Sequence, residues 1–198
     1  MSETYLFYDT ETTGLPLDWK AHVHDVDNWP RIVQLAYILA RSRDEILASS
    51  SVIIHNEYWS IPEEATKVHG ITDAVAEEQG VDVGFVLGQF NFAQALCTHT
   101  VGHNIGFDWK VVGAEMLRFP NMEERYQQFK DLPKICTMRK STKFVGLKQK
   151  NSNRPKYPNL QELHTHLFGE GFEGAHDALA DVKATMNCFF ELKDIGVI

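Results

Sequence analysis

Basic residues are in the minority in this chain. Its 198 residues hold 19 Lys and Arg against 27 Asp and Glu, a formal net charge of −8. Polyphosphate partners favour basic surfaces, so the bulk figure argues against a nucleic-acid binder. Long apolar runs are missing as well. None approaches the roughly 18 residues of a membrane-spanning helix, so no membrane partner is expected. Cysteine is scarce: Cys97, Cys136 and Cys188 are an odd, scattered set without a CxxC pair. Such a set fits the reduced thiols of a cytoplasmic protein better than a disulfide framework or a zinc site. The N-terminus lacks the basic-then-apolar layout of a signal peptide and reads as a strand almost at once. No internal repeat and no low-complexity tract is present. With 43% hydrophobic and 23% charged residues, the composition suits one globular domain over residues 1–198.

The first half reads as strands. Tyr5, Leu6, Phe7 and Tyr8 form a short apolar run closed by the Thr12-Thr13-Gly14 turn signal. Residues 32–39 (IVQLAYIL) are nearly all apolar, as in a strand covered on both faces, and residues 46–54 supply a third strand. The period then changes. Val83, Val86, Leu87, Phe90, Ala93 and Cys97 follow the spacing of an amphipathic helix. A strand at 99–102, a helix over 107–117 and a strand around Ile135 come next. Asn159 and Glu162 form a capping box for a helix that carries Leu160, Leu163 and Leu167 inward and stops at Gly169. A last helix starts near Asp177 and ends near Gly196. Successive strands followed by alternating helices and strands imply a mixed five-stranded α/β sheet with helices on its faces.

Two stretches interrupt this plan. Residues 18–30 are a long connection containing Trp19, Trp29, His22 and His24. Residues 132–161 contain no Asp or Glu and eight bases, which leaves −16 on the remainder of the chain. The charge is segregated. The basic part, about residues 138–158, is expected to be a loop insertion that grips a phosphate backbone; the alternative is a solvated loop.

Carboxylates stand where apolar residues are the rule. Asp9 and Glu11 end an otherwise apolar strand, and side-chain alternation turns both to one face with Thr10 on the other. Two like charges on one face repel; a divalent cation relieves the repulsion, and so does plain solvation at a strand end. Asp108 falls in the first turn of a helix, where the dipole alone would favour it. Asp177 is most simply the N-cap of the last helix, with Asp181 one turn in and His176 just before it. His22 and His24 are a weak candidate for a transition metal. His164 and His166 read as surface residues, and His69 as part of a helix-ending turn. Trp19 and Trp29 either stack on bases or staple their loop.

Taken in order, Asp9-Thr10-Glu11-Thr12-Thr13-Gly14, then His103-Asn104 with Phe107-Asp108, then His176-Asp177-Ala178-Leu179-Ala180-Asp181 resemble the three motifs of the DnaQ-like exonucleases. The subgroup is the DEDDh 3′→5′ exonucleases, which includes the epsilon proofreading subunit of bacterial replicative polymerase. Ile32-Val33-Gln34-Leu35-Ala36, Val68-His69-Gly70-Ile71-Thr72 and Phe172-Glu173-Gly174-Ala175-His176 also look like that family. The resemblance covers nearly the whole chain.

It implies an RNase H-like fold and a metal-dependent exonuclease. Asp9, Glu11, Asp108 and Asp181 would hold two divalent ions, Mg²⁺ or Mn²⁺, since all-oxygen ligands suit hard cations. Such a pair clamps the attacking and leaving oxygens of a phosphoryl displacement. His176 would take the proton of the attacking water, and a nucleoside 5′-monophosphate would leave. Thr10, Thr12, Gly14 and Leu15 resemble the cradle of the 3′-terminal nucleotide, and His103 and Asn104 its sugar-phosphate path. The expected partner is a nucleic-acid 3′ end, DNA ahead of RNA. An RNA trimmer of the same chemistry and a non-catalytic polymerase accessory are the alternatives. The chain stops soon after its last helix, which is expected to leave no room for a polymerase-binding tail.

Overall fold

A computed structural model describes residues 3–198. Five strands form one mixed sheet in the order β3-β2-β1-β4-β5. They are β1 (Tyr5–Thr12), β2 (Ile32–Ala40), β3 (Ile46–Ile53), β4 (His99–Gly102) and β5 (Lys134–Cys136). β1 runs antiparallel to β2 and parallel to β4, so it is the centre of the sheet. The β1–β2 register sets Asp9 opposite Ala36 and Glu11 opposite Gln34.

Eight helices accompany the sheet: α1 (Glu63–His69), α2 (Asp73–Gln79), α3 (Val83–Leu96), α4 (Gly106–Leu117), α5 (Glu123–Asp131), α6 (Thr137–Val145), α7 (Leu160–Phe168) and α8 (Ala178–Asp194). Alternation along β1 divides the core between them. Leu6 and Tyr8 pack with Val86 and Phe90 of α3, Val111 of α4 and Phe129 of α5. Tyr5 and Phe7 face the other way, onto Val182, Met186, Phe189 and Phe190 of α8. Each of these large side chains is nearly fully buried, worth roughly 1.5–3 kcal/mol apiece. β1 is therefore held on both faces, and the carboxylates at its end inherit that support.

The capping box of α7 forms as its sequence indicates: the Asn159 side chain accepts from the Glu162 N–H, and Glu162 accepts from the Asn159 N–H. The basic stretch departs from expectation. Arg139, Lys140 and Lys143 lie on α6, a helix rather than a loop, and residues 146–159 alone form the connection. The reason is the inner face of α6, which buries the hydroxyl residues Thr137, Ser141 and Thr142. Those inward positions are polar, so no row of apolar residues marks them in the sequence. Trp29 is buried and its Nε1 donates to the His22 carbonyl, which makes it a staple of the 18–30 connection. Trp19 is exposed beside Phe107. Among the described residues, no helix is long and apolar enough to cross a membrane.

Candidate active site

Three chain segments converge at the C-terminal end of β1. Asp9 and Glu11 project on the α8 side, the face of Tyr5 and Phe7. Gln34, opposite Glu11 on β2, docks the start of α8: its Oε1 accepts from the Ala178 N–H, and its Nε2 donates to Asp177. Asp177 caps the helix by accepting from the Ala180 N–H at 3.0 Å. One turn in, Asp181 points back at β1. His176 takes a left-handed backbone with φ of 70°, and its N–H donates to Asp181 at 3.1 Å. The result brings ligand atoms of Glu11, His176 and Asp181 all within 4.8 Å of one another.

The fourth carboxylate arrives from the opposite face of the sheet. Asp108, in the first turn of α4, is buried, and one of its oxygens accepts from both the N–H and the hydroxyl of Thr10, at 3.1 and 2.8 Å. Thr10 thus spends both donors inside the protein. Beyond its expected place in the substrate cradle, it holds an acidic residue in place.

Burial without counter-charge sets the electrostatics. Desolvation, and then the charges of Asp108, Asp181 and Glu11, push the Asp9 carboxyl well above the usual range. Glu11 is raised to about 8 by burial first and Asp181 second. Burial lifts Asp108 to about 6 against the opposing hydrogen bonds of Thr10. Asp181 is raised by burial, with the His176 N–H acting against the rise. Among the described residues, no lysine or arginine forms an ion pair with any of the four. Crowded carboxylates lacking a protein cation fit a hard divalent ion, which their oxygen donors suit. His22 and His24 stand 3.1 Å apart at their Nδ1 atoms, and no third ligand joins them among the described residues.

A cleft of about 240 Å³ opens over Asp9, His176 and Asp181 and is walled by His103, Gln161 and Phe172. His103 Nδ1 lies 3.0 Å from the Thr137 hydroxyl and Nε2 lies 3.0 Å from the Pro158 carbonyl. A carbonyl only accepts, so the proton sits on Nε2, and burial lowers this imidazole to about 4. With both nitrogens occupied, His103 fastens the end of the basic segment to β4. On the other side of β1, Gly14 adopts φ of 144°, open to glycine without strain, and turns the chain so that Leu15 stands 71% exposed. The Thr12 hydroxyl donates to the Gly14 carbonyl. Asn104 is exposed at the start of α4 with φ of 67°.

The sequence matches the family model for Exonuclease over residues 6–189. The chain belongs to the exonuclease family. Its expected DnaQ-like membership and RNase H-like mixed sheet both hold, and membership makes it a nuclease hydrolase. No curated protein matches the chain. Among solved structures it is similar to E. coli exonuclease I in complex with a dA16 oligonucleotide, with 21% identity and a TM-score of 0.73, over 97% of this chain and 41% of that one. A moderately thermophilic exonuclease I from Methylocaldum szegediense gives 22% and 0.71, over 97% of this chain and 40% of that one. At these identities the likeness is one of fold. The chain spans less than half the length of these relatives.

Three further residues of this exonuclease escaped the motif reading. Gln161 clamps the approach to α8, its amide donating to the Phe172 carbonyl at 2.7 Å and accepting the Phe172 N–H at 3.1 Å. Phe172 thereby becomes a wall of the cleft. His69 closes α1, where its Nδ1 accepts from the Ile71 N–H and its buried Nε2 faces the Thr12 backbone. Burial lowers its imidazole, the Thr12 backbone opposes that, and His176 adds to it, so His69 stands beside both. The family-like segments around His69 and Phe172 carried the signal; which side chains faced the cleft was not in them.

Proposed function

We propose that residues 1–198 form a single 3′→5′ exonuclease domain that hydrolyses the 3′-terminal phosphodiester of single-stranded or frayed DNA and releases nucleoside 5′-monophosphates. The observation that carries this is the meeting of Glu11, His176 and Asp181 within 4.8 Å, beside the half-buried Asp9 and the buried Asp108. Asp9, Glu11, Asp108 and Asp181 are the residues that would hold two divalent ions, Mg²⁺ or Mn²⁺. Bound there, such ions supply Lewis-acid stabilisation of the charge that builds on a phosphoryl group.

The protein's own groups do the rest. The exposed His176 imidazole accepts the proton of the attacking water, and the backbone bond to Asp181 fixes the main chain that carries it. Thr10 keeps Asp108 aligned. Leu15 and His69 flank Thr12, where a terminal nucleotide would lie. Phe172 and His103 bound the cleft on the far side. The bases of α6 and of residues 146–159, tied to the cleft through His103, would grip the phosphates. Oligonucleotides named with exonuclease I, dA16 and dT13, support the DNA reading. Three unpaired cysteines fit a cytoplasmic setting.

The test is incubation with Mn²⁺ or Mg²⁺ and 3′-labelled single-stranded DNA, mismatched duplex or short RNA, with Asp9→Ala in parallel. Metal-dependent release of labelled mononucleotide from DNA, lost in Asp9→Ala, is the expected result. Preferential release from RNA would make the chain an RNA trimmer. No metal-dependent release from any substrate would overturn the catalytic reading.

A further inference from the structure

Three exposed apolar side chains follow the turn at Gly14. Leu15, Leu17 and Trp19 are 71%, 86% and 53% exposed, while Pro16 between the first two is buried. The main chain that carries them is pinned. The Leu17 N–H donates to the Asn28 carbonyl at 3.1 Å, and the Asp18 N–H donates to the buried Asn28 side chain at 2.7 Å. That amide donates back to the Asp18 carbonyl at 3.0 Å. Lys110 of α4 donates to the Trp19 carbonyl at 3.0 Å and sets its ammonium 4.7 Å from the centre of the Trp29 ring. The Trp19 indole is thus held in water by a fixed backbone. Its ring centre lies 5.7 Å from that of Phe107, inclined by 46°. Phe107 directly precedes Asp108 in the first turn of α4, so the two rings form an aromatic ledge that begins beside a carboxylate of the active site.

We infer that Trp19, with Phe107, stacks a nucleobase of the substrate strand that lies 5′ to the terminal nucleotide, so that Trp19 selects unpaired strands. The inference rests on the exonuclease reading above. That reading places the terminal nucleotide at Thr12 and Leu15, and the exposed row leads from Leu15 to the ledge, continuous with the cradle. A base offers its π-face to an aromatic ring only when it has left the duplex stack, and stacking tolerates any base. Lys110, held against the Trp19 main chain, brings positive charge for the phosphates. A ring carried on a fixed backbone loses little freedom when it stacks, which favours binding. An indole that only stapled the connection would be covered as Trp29 is, at 3% exposure.

The experiment measures nucleotide release from oligothymidylates lacking one base at a chosen position, using the full chain, Trp19→Ala and Trp19→Phe. For the unchanged protein, an abasic site at the second or third nucleotide from the 3′ end should raise KM at least about fivefold. Trp19→Ala should raise KM for the intact strand by a similar factor, with kcat within about twofold, and should no longer respond to the abasic site. Trp19→Phe should restore most of the affinity and the response. A residue that merely braced its loop would not couple to a missing base. The inference is overturned if Trp19→Ala leaves KM unchanged, or if it keeps the full response to the abasic site, as it would were the row a docking face for a protein. If no substrate releases nucleotide, the exonuclease reading fails, and a titration decides the inference separately. Oligothymidylate should quench tryptophan fluorescence in the unchanged protein and not in Trp19→Phe, and equal quenching in the two overturns it.

Discussion

The N–H and the hydroxyl of Thr10 converge on a single oxygen of Asp108. Both donors favour the ionised carboxylate and oppose the burial that pushes it to about 6. Thr10→Val keeps the shape and the backbone bond and removes the hydroxyl. A hydrogen bond to a charged group is worth about 1.5–3 kcal/mol. The Asp108 pKa should therefore rise, Mn²⁺ should bind about tenfold or more weakly in calorimetry, and the acid limb of the pH–rate profile should move to higher pH. An unmoved acid limb would show that Thr10 does not set this carboxylate.

His176→Ala should leave the fold and Mn²⁺ binding in place and lower turnover by about 10²-fold or more, the usual worth of a positioned base. The protein bond from this residue to Asp181 is made by its backbone, so it survives the substitution. Circular dichroism, calorimetry and single-turnover kinetics on one preparation separate the effects. Near-normal turnover would remove the base role.

Metal-free stability should fall as pH rises from 4.5 to about 8. Over that window folded Glu11 retains a proton that the unfolded chain has released, so raising pH favours unfolding. Asp9 and Asp108 are raised too and act in the same direction. Melting temperatures in EDTA should drop across the window, and Glu11→Gln should flatten the drop. Adding Mn²⁺ should raise the melting temperature most at the alkaline end, where the carboxylates are free to bind it.

His103→Phe keeps an aromatic ring and breaks both ties, to Thr137 and to Pro158. Loss of that fastening should raise KM for long single strands several-fold with little change in kcat, because no reacting group is removed. The salt dependence of KM should weaken as the basic segment detaches, since each phosphate contact contributes to the slope. A fall in kcat alone would place His103 at the chemistry instead.

The sheet and its acidic end could be read from the sequence because both depend on local pattern. Asp9 and Glu11 stand out against an apolar strand, and Asp177 and Asn159 cap helices by contacts three residues away. The helices that went unread bury little: Ala65 in α1, Ala76 in α2, and Tyr126 and Phe129 in α5. With so few inward residues no period emerges. α6 hid behind an inner face of hydroxyls. The roles of Thr10, Gln34 and His103 rest on partners far away along the chain, Asp108, Ala178 and Pro158, and no local pattern announces such a pairing.

The docking of α8 on β1 and β2 also orders events during synthesis. Asp9 and Glu11 leave the ribosome first, Asp108 about 100 residues later, and His176 with Asp181 about 70 residues after that, at a helix start anchored to Gln34 made about 140 residues before. A nascent chain therefore holds half its acidic residues while the half that completes the site is still untranslated. The nuclease can arise only once Asp181 has been added, after all five strands of its sheet have been made.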